Sequence, residues 1–176
     1  MFQRIDRCEI GCAVFKFIMD SIAMEQIRAL KHRYLRTLDL KLWDDFADTL
    51  SKDIVASYGS PSGGQPLEFT GRDAVVDYMR GALSGNIITV HVATHPEITV
   101  DGETASGSWL LEDTVIAPEY NFLIRGAAYY TDTYRLEDGV WRISGTGYKR
   151  IFEAKMAPEA LPGFEITANA WAPTTA

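Results

Sequence analysis

The residues of this chain with the clearest potential for chemistry lie between positions 88 and 113, in the stretch ITVHVATHPEITVDGETASGSWLLED. Alternating residues on both sides of Asp-Gly-Glu at 101–103 predict a β-hairpin. A three-residue loop centred on Gly102 would place His91 directly opposite Asp113 on one face. An imidazole ordinarily titrates near pH 6.5, about where it can both accept and return a proton, and a carboxylate would hold it in one tautomer. The pair predicts metal-free acid and base catalysis, although a core histidine is satisfied in the same way.

The register of this hairpin decides which acid His91 meets. A two-residue Asp-Gly turn would place Glu112 opposite His91 in place of Asp113. Pro96 in the middle of the first strand indicates a bulge that would shift the register again. In either turn a histidine faces a carboxylate.

A helix upstream carries two further candidates. It is predicted to begin at Asp20 or Ser21 and to end at Asp39. Its apolar stripe predicts an inward face made of Ala23, Ile27, Leu30, Tyr34 and Leu38. The Tyr34 phenol would donate a hydrogen bond to a substrate oxygen, with Asp39 tuning it or ordering a nearby water, although a tyrosine on such a stripe is also a packing residue.

The last hairpin supplies a cation and aromatic side chains. A two-residue turn at Asp138-Gly139 would place Arg150 opposite Ala127, on the face that also carries Tyr129 and Tyr148. Arg150 would neutralise a carboxylate or an oxyanion, or would be an ordinary surface charge. With Trp109, these three side chains are the predicted substrate-binding residues.

A metal site is the weaker interpretation of the histidines. His91 and His95 stand four residues apart on one strand and would share a face, with a residue such as Asp113 as third ligand. Histidine pairs on strands are more often structural. The chain has no glycine-rich phosphate loop, no nucleophile elbow and no HExxH motif. We therefore predict neither a metal nor another cofactor.

Composition restricts the class of protein. The 176 residues are 47% hydrophobic, which suits one domain with a sizeable core. A net charge of -7 without a basic cluster argues against nucleic acid and membrane surfaces as partners. The two cysteines, Cys8 and Cys12, lack further zinc ligands and suit a reducing cytoplasm. The first twenty residues resemble a secretory signal, but Lys16 interrupts their apolar run.

The predicted elements give an α+β fold. We expect an N-terminal arm at 1–18, a single domain at 19–155, and a Pro-rich and Ala-rich tail at 156–176 that covers a pocket or contacts a neighbouring subunit. Within the domain, patterning predicts the first helix, a short helix at 41–50, a strand at 54–58, a flexible loop at 59–66, a helix from Thr70 to Gly85, and then strands only, from 87 to 152.

The ordered stretches KHRYLRTLDLKLWDD, HPEITVD, SWLLED, AYYTDTY and GYKRIFE carry a family resemblance across residues 20–155. Their order resembles the SnoaL-like group of the nuclear transport factor fold, which includes ketosteroid isomerase and scytalone dehydratase. Within that group the chain is most similar to bacterial bile acid 7α-dehydratases. The resemblance implies a cone-shaped, curved mixed or antiparallel sheet whose pocket is enclosed by three N-terminal helices.

The resemblance also implies a site and a reaction. The positions that match the family's pocket residues are Tyr34, Asp39, His91, Asp113 and Arg150. They imply cofactor-independent loss of water from a hydroxylated steroid-like or polycyclic ketone, with His91 moving the proton, in a homo-oligomer in which a trimer is favoured over a dimer. The same fold hosts isomerases, polyketide cyclases and binding proteins, so these functions remain alternatives.

Overall fold

The computed structural model describes residues 7–59 and 64–173, without the side chains of residues 7–10, 12 and 13. In chain order its elements are α1 Arg7–Asp39, α2 Trp43–Ala47, β1 Leu50–Tyr58, β2 Leu67–Thr70, α3 Arg72–Ala82, β3 Ile88–Asp101, β4 Thr104–Ala117, β5 Phe122–Glu137 and β6 Val140–Met156, with single 3-10 turns at Pro118–Tyr120 and Pro158–Ala160. The predicted α+β class is confirmed.

The six strands form one curved, open sheet in the order β2-β1-β6-β5-β4-β3. Strands β3 to β6 form an antiparallel meander, and β1 joins β6 in parallel, so the sheet is mixed, as the resemblance implied. Strand β2 pairs with β1 and was not predicted. Four residues are too few to show an alternating pattern.

Helix α1 is longer than predicted, because the two predicted cap residues, Asp20 and Ser21, lie inside it. Asp20 forms an ion pair of 3.1 Å with Lys16 one turn earlier. The Ser21 hydroxyl donates to the carbonyl of Phe17 at 2.8 Å. Both are bonds within a helix rather than caps. Residues 7–18 therefore continue α1, while residues 1–6 of the expected arm and the side chains of both cysteines lie outside what the structure describes.

The core lies between the concave face of the sheet and the helices. The predicted stripe of α1 is confirmed, because Ala23, Ile27, Leu30, Tyr34 and Leu38 are all buried. Helix α3 adds Val75, Val76 and Met79. Alternate residues of β4 and β5 form the facing layer, as period-two strands require. Among the described residues, no helix is long and apolar enough to cross a membrane.

Candidate active site

Strands β3 and β4 place His91 directly opposite Asp113, as predicted, although neither predicted turn forms. The loop is the two-residue Gly102-Glu103, between paired Asp101 and Thr104. That turn alone would not bring His91 to Asp113, and a register shift between Thr94 and Glu97 corrects the pairing by one residue. The shift contains Pro96, which has no N–H for the ladder.

Asp39, the last residue of α1, is the carboxylate that holds the His91 ring. Its Oδ1 lies 2.6 Å from His91 Nδ1, and its Oδ2 accepts the His91 backbone N–H at 2.9 Å. Thr89 donates its hydroxyl to Oδ1 at 2.8 Å. The prediction that Asp113 orients His91 is therefore wrong. Asp39 serves His91 rather than Tyr34.

This arrangement selects the tautomer of His91. An ionised carboxylate only accepts hydrogen bonds, so Nδ1 carries the hydrogen and donates it to Asp39. The other ring nitrogen, Nε2, is left with a lone pair. The side chains of His91 and Asp39 are only 13% and 18% exposed, so the pair is largely shielded from solvent. His91 is thereby prepared to accept a proton through Nε2.

Asp113 pairs with Arg150 from strand β6. The guanidinium donates from Nη1 to Oδ1 at 2.5 Å and from Nη2 to Oδ2 at 2.8 Å, a bidentate pair with both side chains buried. Glu153 lies 3.4 Å from Arg150 Nε. Burial lowers the pKa of Arg150, but the hydrogen bonds and charge of Asp113 outweigh burial and raise it. Arg150 is thus already neutralised within the protein.

These groups line a cavity of about 320 Å³ between α1, α3 and the concave face of the sheet. His91, Asp113 and Arg150 meet there with four tyrosines. The other lining residues are apolar: Leu38, Met79, Ala82, Leu83, Leu111, Val115, Phe122 and Ile124. The four tyrosines are Tyr58, Tyr78, Tyr130 and Tyr148. A few polar groups in an apolar cavity are typical of small-molecule sites.

Tyr34 does not line this cavity. It is fully buried, and its hydroxyl lies 2.9 Å from that of Tyr58, which does line it. Burial, followed by the neighbouring phenols of Tyr58 and Tyr130, raises the pKa of Tyr34 well above its ordinary value. Burial also raises the pKa of Tyr58. Tyr34 therefore acts on the cavity only through Tyr58, which sequence reasoning missed although it ends the alternating strand predicted at 54–58.

The structure brings Tyr148, but not Tyr129, of the predicted substrate-binding tyrosines to the cavity. Tyr148 lines the cavity and its hydroxyl accepts the Gly59 N–H at 3.2 Å. The predicted placement of Tyr129 on the face of Tyr148 is wrong, because Tyr129 pairs with Lys149 on the other face and is 49% exposed. Tyr130 lies opposite Tyr148 in its place. The predicted turn is present, but a bulge between Thr133 and Tyr134 shifts the register by one residue, so Arg150 lies opposite Ala128 and the predicted pairing with Ala127 is wrong.

Trp109 is also not a cavity residue. It is fully buried and donates its indole N–H to the Tyr134 hydroxyl at 2.8 Å. His95 lies in the β3 bulge at φ 51°, exposed, and its Nδ1 lies 2.9 Å from the Thr94 hydroxyl. Within the described part of the chain, no three His, Cys, Asp or Glu side chains come together as metal ligands.

The C-terminal tail is anchored beside the end of α1. Asn169 donates its side-chain amide to the carbonyl of Asn86 at 3.0 Å. The Lys41 ammonium lies 4.6 Å from the ring centroid of Trp171 and donates to the carbonyl of Gly85 at 2.8 Å. These contacts hold residues 169–171 against the loop that follows α3. The last turns of α3 line the cavity. The role of the tail as a lid or an interface stays a prediction.

Comparison with known proteins supports the fold. The model of the family described as SnoaL-like domain matches residues 20–146. A protein of Novosphingobium aromaticivorans assigned as a scytalone dehydratase has a similar structure, with a TM-score of 0.67 and 19% identity over 87% of this chain and 93% of that chain. The hexachlorocyclohexane dehydrochlorinase LinA type 3 of Novosphingobium barchaimii also has a TM-score of 0.67 and 19% identity, over 84% of this chain and 95% of that chain. At these identities the structures show a shared fold alone. The closer likeness to bile acid 7α-dehydratases stays a prediction.

Proposed function

Because the chain belongs to the SnoaL-like domain family, we propose that it is a cofactor-independent dehydratase that removes water from a hydroxylated steroid-like or polycyclic ketone. The observation that carries the proposal is His91, which lines an apolar, tyrosine-lined cavity and is held from behind by Asp39. Elimination of water needs a base and a proton donor in a space from which bulk water is excluded. The cavity supplies both.

In the proposed reaction, His91 Nε2 removes a proton that the ketone makes acidic, either from the carbon next to the ketone or, in a conjugated enone such as a 3-oxo-4-ene, from the carbon beyond the C=C bond. The C–H electrons move toward the ketone and leave an enolate, whose oxygen accepts hydrogen bonds from the phenols of the cavity. The enolate then forms the C=C bond and expels the hydroxyl group, which leaves as water after it receives a proton. Asp39 stays ionised throughout and stabilises the imidazolium.

Two groups can return the proton to the departing oxygen. Protonated His91 does so if the C–H and C–O bonds lie on the same side of the ring. Otherwise Tyr58, whose hydroxyl is backed by Tyr34 at 2.9 Å, donates it and is reprotonated from His91. Neither route changes the net proton count, since one proton leaves carbon and one joins the hydroxide.

The charges of the site favour a neutral substrate. Arg150 is held by Asp113 through both terminal nitrogens and lies near Glu153, so it has little capacity left for a substrate carboxylate. A cavity of about 320 Å³ is at the small end of the range for ligand pockets, about 300 to 1,000 Å³. We therefore expect compact ring ketones to be better substrates than steroids with long side chains.

The names of the similar structures agree with an elimination. A dehydratase removes water and a dehydrochlorinase removes hydrogen chloride, and both reactions break a C–H bond and a bond to a leaving group on another carbon. For this chain these names support the proposed reaction class and leave the substrate open.

The test uses purified protein and a panel of neutral hydroxylated ketones that runs from a 7-hydroxy-3-oxo-4-ene steroid to two-ring compounds. Formation of the conjugated product is followed by absorbance. His91→Ala should abolish elimination and change ligand affinity by less than about tenfold. The matched control is His95→Ala, an exposed histidine on the same strand, which should keep full activity. Full activity in His91→Ala would refute the mechanism.

The same panel separates the alternative functions. An isomerase would move a double bond and release no water, and a cyclase would close a ring of an open-chain substrate. The isomerase alternative uses a carboxylate base such as Asp39, and in the structure this carboxylate is hydrogen-bonded to His91 and Thr89. A binding protein would hold a ligand unchanged, and this outcome would be recognised by affinity without product.

We further propose that the protein is a homo-oligomer, as the resemblance implies, and that it is cytoplasmic, as its cysteine content suggests. Support comes from apolar side chains that the single chain leaves exposed. On the convex face of the sheet these are Val90, Val92, Tyr129 and Phe152, which are 46 to 53% exposed. Sedimentation velocity would distinguish a trimer from a dimer, and a monomer at micromolar concentration would exclude both.

A further inference from the structure

A buried ion pair lies behind the cavity, in a part of the molecule that the proposed elimination does not use. Lys31 of α1 and Asp132 of β5 approach to 2.8 Å, and both side chains are fully buried. A buried ion pair is costly, and apolar residues of similar size commonly give equal or greater stability at such positions. The contacts of this pair therefore call for a reason other than packing.

The positive end of the pair faces aromatic side chains of the site. The Lys31 ammonium lies 3.4 Å from the ring centroid of Tyr130 and 5.0 Å from that of Tyr34. Tyr130 lines the cavity directly, and Tyr34 reaches it through the hydroxyl of Tyr58. A cation against the face of a phenol draws electron density from the ring and makes its hydroxyl a stronger hydrogen-bond donor.

The negative end of the pair points to a different set of donors. Asp132 accepts the hydroxyl of Tyr134 at 2.9 Å and that of Thr146 at 2.7 Å. Tyr134 in turn accepts the indole N–H of Trp109. Asp132 is therefore held by two hydroxyl donors, and Lys31 is the member of the pair that contacts the aromatic rings.

Tyr130 is suited to receive this effect. Its side chain lines the cavity and is only 3% exposed, so the phenol lies in the buried wall of the site. Burial, followed by Tyr58 and Asp132, raises its pKa well above the ordinary value. The phenol therefore stays protonated and can donate its hydrogen to a ligand oxygen.

From this geometry we infer that Lys31, with Asp132 as its counter-ion, is a positioning residue that strengthens Tyr130 as hydrogen-bond donor to the ketone oxygen of the substrate. The inference rests on the proposed function, because it assigns the enolate oxygen to the Tyr130 end of the cavity, while His91 acts on the C–H bond that the ketone makes acidic. Lys31 and Asp132 would act on the reaction through their charges alone, without contact with a substrate atom.

The test removes the charges as a pair, because removal of one partner would leave an uncompensated buried charge. Lys31→Met with Asp132→Asn is made in the wild-type chain and in Tyr130→Phe. A second neutral pair, Lys31→Gln with Asp132→Asn, is made in both backgrounds as well. Thermal unfolding of every variant checks the fold.

The first readout needs no turnover. 4-Nitrophenol, which changes colour when it ionises, is bound to the cavity and titrated by absorbance. The neutral pair should raise the ionisation midpoint of the bound probe by about one pH unit, a tenfold effect, in the Tyr130 chain. It should cause no further change in the Tyr130→Phe chain, because the ion pair acts through that phenol.

The second readout is elimination of water by the best substrate of the panel. The neutral pair should lower kcat about tenfold with little change in KM, and again only when Tyr130 is present. Coupling to Tyr130 in the probe titration without any turnover would support the inference and refute the dehydratase. Turnover without coupling would refute the inference alone. Failure of the probe to bind the wild-type cavity, or unfolding of both neutral pairs, would also overturn it.

Discussion

Replacement of Asp39 by asparagine is the most direct test of how the site works, because the amide keeps the shape of the carboxylate and changes only its hydrogen bonding. The His91 backbone N–H lies 2.9 Å from Asp39 Oδ2 and needs an acceptor there. In Asp39→Asn the amide oxygen must take that position. The amide NH₂ then occupies the position of Oδ1, 2.6 Å from His91 Nδ1, and Thr89 can rotate its hydroxyl to accept from it.

The consequence for His91 is a change of tautomer. Nδ1 now faces a donor and must accept, so the hydrogen moves to Nε2, which can no longer take a proton from the substrate. The equivalent acid-to-amide change in acid–histidine catalytic pairs lowers kcat about 10⁴-fold through the wrong tautomer. We expect a loss of about 10³- to 10⁴-fold here, with ligand affinity almost unchanged because Asp39 does not line the inner cavity.

The assay is single-turnover formation of the conjugated product, with ligand affinity measured separately by quenching of tryptophan fluorescence. Asp45→Asn is the matched control, since Asp45 is an exposed acid on the neighbouring helix α2. A variant Asp39→Asn that keeps kcat within about tenfold of wild type would refute the tautomer argument. Loss of affinity in proportion to kcat would show that Asp39 supports the cavity and not the base.

The remaining predictions concern stability. A Cβ at Gly126 would lie 2.7 Å from Arg150 Nη1 and 3.0 Å from Asp113 Oδ1, so Gly126→Ala should break that pair and destabilise the protein by about 3 kcal/mol in urea unfolding. Gly81→Ala, where nothing lies within 4 Å, is the control, and equal stability of both variants would contradict the close approach. Stability should also fall as the pH rises above 10, because burial raises the folded-state pKa of tyrosines that ionise near pH 10 in the unfolded chain, namely Tyr34, Tyr58, Tyr130, Tyr134 and Tyr148. Each tyrosine lowers the stability by up to about 1.4 kcal/mol per pH unit, and Lys31 and Lys41, whose pKa values burial lowers, oppose this effect in part. Equal urea midpoints at pH 9 and 11 would refute the sign.

The sequence could predict which side chains share a strand face but not which element meets them. Alternation predicted the β3–β4 pairing, and the stripe of α1 predicted its buried face, because both patterns are local. The contact of Asp39 with His91 joins residues 52 positions apart. It depends on where the end of α1 lies relative to the sheet edge, and periodicity has no information on that position.

Bulges explain the errors within the strands. An inserted residue reverses the parity of every position beyond it, so one bulge moved Tyr129 to the exposed face and brought Tyr130 to the cavity. In β3 the bulge at Pro96 had the opposite effect. It offset the one-residue shift in pairing that the unpredicted two-residue turn produces, so His91 still lies opposite Asp113. Proline gave a signal for one bulge, whereas the residues around Ser144 gave none that period-two patterning could detect.

Competition for Asp113 explains why the facing acid does not hold the histidine. Directly opposed side chains on a hairpin are close enough to interact, so His91 and Asp113 were a reasonable pair. Arg150 lies on the same face two strands away from Asp113 and offers two charged donors, which bind a carboxylate more strongly than one imidazole N–H does. His91 therefore depends on a second acid, and the C-terminal end of α1 supplies Asp39. His91 therefore has Asp39 as its counter-ion, and Arg150 has Asp113. With both charges paired, His91 can move a proton while the cavity presents no net charge to a neutral substrate.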